Sequence, residues 1–129
     1  MLSLAFATPL AVALSIGSAQ LTIDGETTTH TITDCAIEAE GAMPARLLIE
    51  DLDLTLNLAQ ADHMQTISVI RDNRNWTATR LKIGDNWMDQ GKPSDPFILD
   101  WGETIHVEAM LTSGQSEDEK AMKLIAKCG

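Results

Sequence analysis

The chain has 129 residues, of which 19 are acidic and 9 are basic, so its formal net charge at pH 7 is -10. Hydrophobic residues make up 44% of it and charged residues 22%, which excludes a disordered chain and a protein with several membrane spans. Its length corresponds to one domain. Nucleic acid is not expected as a partner, because a net negative surface repels phosphate.

The first 19 residues contain no charged side chain and are mostly apolar as far as Ile16. Gly17, Ser18 and Ala19 follow, and signal peptidases accept small residues one and three positions before the cut. The sequence therefore predicts a signal peptide over residues 1–19 and a single β-rich domain over residues 20–129. The alternative is a hydrophobic first strand or core helix. We expect a periplasmic or secreted protein whose mature chain has no membrane span.

The two cysteines, Cys35 and Cys128, lie early in the mature chain and next to its end. An even number of cysteines in a short exported chain favours a disulfide. Two free buried thiols are the alternative.

The mature chain begins with short runs of alternating apolar and polar residues separated by turn signals. Residues 21–23 precede Asp24-Gly25, a hairpin pair that tolerates positive φ, and residues 27–39 follow as one extended segment. The clearest alternation runs from Leu52 to Leu58, with leucine at every second position. This pattern predicts a half-buried strand that starts at Leu52.

Further extended segments cover residues 67–70, 76–83, 97–101 and 105–112, and the first two are predicted to pair across residues 71–75. The spacing predicts an all-β fold, a small antiparallel β-sandwich or barrel of seven to eight strands with one disulfide.

The C-terminal segment is ambiguous. Residues 116–119 have the form of a helix capping box, whereas a strand would place Met122, Leu124, Ala126 and Cys128 on one face. The strand is favoured because it suits a bridge to Cys35.

No motif typical of a hydrolase, a metalloprotease or a phosphate-binding loop is present, so we expect a non-enzymatic protein without a cofactor. The candidate ligand or metal loop is Asp85, Asn86, Trp87 and Asp89. Its carboxylates, amide and indole could bind calcium or stack on a sugar ring. The alternative is that the tryptophans, Trp76, Trp87 and Trp101, are core residues.

Acidic residues are unevenly distributed. Residues 20–62 contain nine acids and Arg46 as their single base, whereas residues 63–129 contain ten acids and eight bases. An acidic first half could face a basic partner or bind cations. A solvated surface is the alternative.

Residues 21–25, a cysteine about ten residues later and a cysteine at the C-terminal tip are together similar to the LpqH-type lipoprotein antigens of mycobacteria. The resemblance implies a small exported β-rich domain, displayed at the cell envelope, with a disulfide between early and late strands. This chain lacks the lipid-attachment cysteine and the glycine-rich interior of that family, so surface anchoring does not carry over.

These features predict an exported, non-enzymatic envelope or periplasmic module that binds a basic protein or an envelope component. Two alternatives remain: an acidic inhibitor of a basic hydrolase such as lysozyme, and a carrier of a metal or small ligand.

Overall fold

The structure, a computed structural model, describes residues 17–114 and 117–128, which form one antiparallel sheet of twelve strands and no helix. The all-β prediction is confirmed, and the expected count of seven to eight strands is wrong. The strands are β1 Gly17–Ile23, β2 Glu26–Thr31, β3 Asp34–Ala36, β4 Ala45–Glu50, β5 Thr55–Ala61, β6 Met64–Arg71, β7 Arg74–Ile83, β8 Asn86–Asp89, β9 Lys92–Pro93, β10 Ile98–Asp100, β11 Thr104–Thr112 and β12 Glu119–Cys128.

The count differs because several strands are too short to show a period of two. Strands β3, β8, β9 and β10 have two to four residues each. The segment predicted over residues 27–39 also divides at Ile32 and Thr33. There the Ile32 N–H donates to Gly17 O at 3.0 Å and the Thr33 N–H donates to Leu48 O at 2.8 Å, so the chain leaves β1 and pairs with β4.

The strand order is β2-β1-β12-β11-β7-β6-β5-β4-β3, with β8 paired to β7, β9 to β8 and β10 to β11. The sheet curls into a half-barrel around one core, whose members are the inward residues of successive strands. The hairpins follow the turn chemistry of the sequence. Asp24 and Gly25 have φ values of 50° and 87° between β1 and β2, and Asp72 and Asn73 have 54° and 62° between β6 and β7.

Strands β7 and β11 share one register pair, Thr112 with Thr77, and the space beside this pair is filled by Phe97, which is fully buried. The buried Gln65 holds this segment: its Oε1 accepts hydrogen bonds from the N–H groups of Phe97 at 3.1 Å and Ile98 at 3.3 Å. Phe97 O accepts from the Glu108 N–H of β11 at 2.9 Å. A side-chain amide thus replaces the strand partner that these backbone groups lack.

The C-terminal segment is a strand, β12, and Met122, Leu124 and Ala126 are buried on one face. Cys128, at its end, forms a disulfide with Cys35 of β3 at a Cα–Cα distance of 6.3 Å. The disulfide prediction and the strand prediction are both confirmed.

Residues 1–16, most of the predicted signal peptide, lie outside the described residues, and Gly17, Ser18 and Ala19 belong to β1. Over residues 17–114 and 117–128, no helix has the length and apolar character that a membrane span requires.

Replacing Cys35 and Cys128 together by serine is expected to lower the free energy of unfolding by about 4–5 kcal/mol, because the bridge closes a long loop in the unfolded chain. Equilibrium denaturation in urea measures this, and a reductant should shift only the wild-type midpoint. An unchanged midpoint in the double variant would contradict the prediction.

Gln65→Leu is expected to destabilise the fold by about 1–3 kcal/mol for each buried N–H that loses its acceptor. Gln20→Leu, on the exposed face of β1, is the control and should stay within about 0.5 kcal/mol of wild type. Equal urea midpoints for the two variants would show that Gln65 does not hold the Phe97 segment.

Candidate functional site

The predicted ligand loop lies in the β7–β8 hairpin and in β8 itself. Alternation along β8 places Trp87 and Asp89 on one side and Asn86 on the other. Asp89 Oδ2 lies 3.3 Å from Arg80 Nη1, and Asp85 precedes the strand in the turn. The structure therefore does not bring these groups to a common point, and the ligand role of this hairpin stays a prediction.

Metal-binding side chains do not cluster in the part of the chain that the structure describes. No group of three or more His, Cys, Asp or Glu side chains there could hold an ion. The three histidines belong to different places in the sheet: His30 on β2, His63 between β5 and β6, and His106 on β11.

The tryptophans differ in their surroundings. Trp76 is buried in the core and Trp101 packs against it, and Trp101 Nε1 donates to Ile37 O at 2.8 Å. Trp87 is half-buried, with Lys82 Nζ 5.8 Å from its ring centroid. The core interpretation is thus confirmed for Trp76 and, in part, for Trp101.

A tight turn over residues 51–54, here called the acidic turn, connects β4 and β5. The Asp51 N–H donates to Leu54 O at 2.8 Å and the Leu54 N–H to Asp51 O at 3.4 Å. These two bonds leave Leu52 and Asp53 as a two-residue loop. Leu52 is 105% exposed and Leu54 is 6% exposed.

The predicted strand start at Leu52 is therefore wrong, because β5 begins at Thr55. The leucine alternation continues through the turn, but its first member points into solvent. A signal was present in the sequence: Asp51 and Asp53 flank this leucine, and aspartate is a favoured turn residue.

The acidic turn is fastened to β2, an edge strand of the sheet, through His30. The Nδ1 atom of His30 is hydrogen-bonded to Asp51 Oδ2, and its Nε2 atom lies 2.7 Å from Thr28 Oγ1. A carboxylate only accepts hydrogen bonds, so His30 Nδ1 is the donor to Asp51. This series of contacts fixes the turn against the edge of the sheet.

The order of hydroxyl, imidazole and carboxylate is also that of hydrolase triads. Such a nucleophile acts with N–H donors aimed at the developing oxyanion. Hydrogen-bonded pairs alternate with non-hydrogen-bonded pairs along an antiparallel ladder. Gly17 and Ile32 are hydrogen-bonded, so Leu21 and Thr28, four residues further along each strand, are hydrogen-bonded too. The Thr28 N–H is therefore used in pairing with β1. The contacts of His30 with Thr28 and Asp51 hold the acidic turn against β2.

A cavity of about 390 Å³ lies between β2 and the acidic turn, and it is lined by Thr28, His30 and residues 51–54. Arg71 lines both this cavity and an adjoining cleft of about 610 Å³. Arg71 also spans the gap to β2, because its Nη2 lies 3.3 Å from Glu26 Oε1.

The adjoining cleft contains oppositely charged side chains that largely satisfy one another. Lys120 Nζ lies 3.3 Å from Asp24 Oδ2 and 5.0 Å from the Trp76 ring centroid. Arg74 lies over the same ring at 5.7 Å. The side chains of Lys120 and Arg74 thus both lie over the buried indole of Trp76, so little of its ring surface is accessible to a ligand.

Asp53 of the acidic turn and Glu50 directly before the turn differ from the acidic side chains near Arg46. Among the described residues, the carboxylates of Glu50 and Asp53 form no ion pair. Arg46 instead pairs with two other acids: its Nε lies 3.1 Å from Asp34 Oδ2 and its Nη2 lies 3.1 Å from Glu40 Oε1. The hydrogen bonds that Arg46 donates to Asp34 and then to Glu40 raise the pKa of Arg46 above its ordinary value. The single base of residues 20–62 is therefore engaged on β3 and β4, away from the turn.

No protein-family model, curated protein sequence or solved structure matches this chain. The resemblance to the LpqH-type antigens stays a prediction.

Asp51→Ala is expected to lower the free energy of unfolding by about 1–2 kcal/mol, because it leaves the His30 ring without its acceptor. Asp53→Ala, two residues along the same turn, removes an equal charge but no described contact and should change stability by less than about 0.5 kcal/mol. Urea denaturation of both variants tests the difference. Equal effects would show that the His30–Asp51 contact does not fasten the turn.

Proposed function

We propose that this chain is an exported, non-enzymatic interaction module that binds a cationic protein surface through the acidic turn. The observation that carries the proposal is a fully exposed leucine, Leu52, near the unpaired carboxylates of Glu50 and Asp53, on a turn that the His30–Asp51 contact holds in place. A periplasmic or secreted location is part of the proposal, and the Cys35–Cys128 disulfide supports it because disulfides persist in oxidising compartments.

The turn has the features of an interface anchor. Exposing a whole leucine side chain is unfavourable in water, and burying it in a partner recovers that free energy. Because Asp51 is bound to His30 and to Leu54, the loop needs little ordering on association. Glu50 and Asp53 beside Leu52 would attract a basic surface and disfavour an acidic one.

A second candidate function, inhibition of a basic hydrolase, is favoured by the shape of the same loop. Two residues project one apolar side chain beyond the sheet, a form that suits insertion into a cleft. Charge would then steer the encounter, because the whole chain carries -10 and residues 20–62 contain nine acids to one base.

The test is binding of the oxidised protein to immobilised lysozyme and other cationic hydrolases, at low ionic strength and again at about 0.5 M salt, where charge screening is strong. Binding should weaken with salt. Leu52→Ser should weaken it by about tenfold or more, as expected for a central apolar anchor.

Ile83→Ser is the matched control, because Ile83 is also apolar and is 63% exposed but lies in β7. It should bind as wild type does. Absence of salt-dependent binding to every cationic protein tested, or equal effects of Leu52→Ser and Ile83→Ser, would overturn the proposal. Loss of lysozyme turnover on binding would identify the inhibitor function.

A further inference from the structure

Gly17 is at the point where three strands meet. It pairs with Cys128 of β12, and its carbonyl accepts the Ile32 N–H hydrogen bond that ends the pairing of β1 with β2. A Cβ atom on Gly17 would lie 2.1 Å from the Lys127 carbonyl oxygen and 3.0 Å from Cys128 Cα. Both atoms belong to the backbone and cannot rotate away, so only glycine fits at this position.

The next two residues are equally part of the sheet. Ser18 pairs with Lys127 on one side and Thr31 on the other, and Ala19 pairs with Ala126 and His30. Ala19 is 1% exposed and belongs to the core cluster. Gly17, Ser18 and Ala19 make up three of the seven residues of β1.

Cleavage after Ala19 would remove these contacts together. The Ile32 N–H would lose its acceptor, the end of β12 would lose its partner beside the disulfide, and the core would lose the Ala19 side chain. The new charged amino group of Gln20 would lie between β2 and β12, where Gln20 pairs with Thr29 and Ile125.

We infer that the mature protein retains Gly17–Ala19 as the start of β1 and that the export signal is cut upstream of Gly17. This inference rests on the export that we propose above.

The first measurement is the intact mass and N-terminal sequence of the protein recovered from the envelope of its own host. A mature chain that begins at or before Gly17 supports the inference. A chain that begins at Gln20 keeps export and overturns the inference, whereas an uncut chain in the cytosol overturns export itself.

Retention of Gly17 is tested separately with Gly17→Ala, which keeps a small residue three positions before a cut after Ala19. If the mature chain contained only residues from Gln20 onward, this change could not alter its stability. We expect the mature Gly17→Ala protein to unfold several degrees below wild type, and Gly102→Ala, where a Cβ meets no atom within 4 Å, to match wild type. Equal melting temperatures for all three proteins would overturn the retention of Gly17.

Discussion

The covalent bond between Cys35 and Cys128 constrains the curl of the sheet. These residues belong to β3 and β12, which stand at the last and third places in the strand order and therefore lie far apart along the sheet. A bond between them requires the sheet to bend until the two strands approach. The bend encloses the apolar face, so core burial and the disulfide favour the same curvature. Gly17 lies beside this corner, and its lack of a side chain lets β1 reach the end of β12.

The second constraint is the gap between β7 and β11. A curled sheet that loses pairing at one place exposes backbone N–H and C=O groups to its core, and each unpaired group is costly. Here the Phe97 side chain fills the space, and the Gln65 amide accepts from the backbone on either side of it. Arg80 closes the outside of the same segment, since it lies over the Phe97 ring at 5.4 Å and donates to Asp95 O at 2.9 Å.

The acidic turn is unusual because its contact with His30 fixes its position, whereas the Leu52 side chain at its tip packs against nothing in the described structure. The His30–Asp51 contact joins it to an edge strand, and inward-facing polar groups on such a strand also discourage pairing with other chains. The exposed Leu52 side chain adds no burial to the core, and its exposure to water is unfavourable. The proposed function gives a physical reason for this exposed leucine, because a bound partner would bury it.

The sequence by itself determined the elements whose residues carry a local signal. Alternating leucines and isoleucines specified the long strands, Asp24-Gly25 specified the first hairpin, and the cysteine count specified the bridge. Only the tertiary structure decided where those signals end. The leucine alternation continues into Leu52, but the backbone bonds between Asp51 and Leu54 turn that residue outward. The apolar N-terminal run likewise continues to Ala19, yet pairing with β2 and β12 makes Gly17–Ala19 part of the domain. At Gly17–Ala19 the deciding contacts join residues distant in sequence, and a local pattern contains no information about them. At Leu52 the bonds that make the turn are local, but the His30–Asp51 contact that holds it joins residues 21 positions apart.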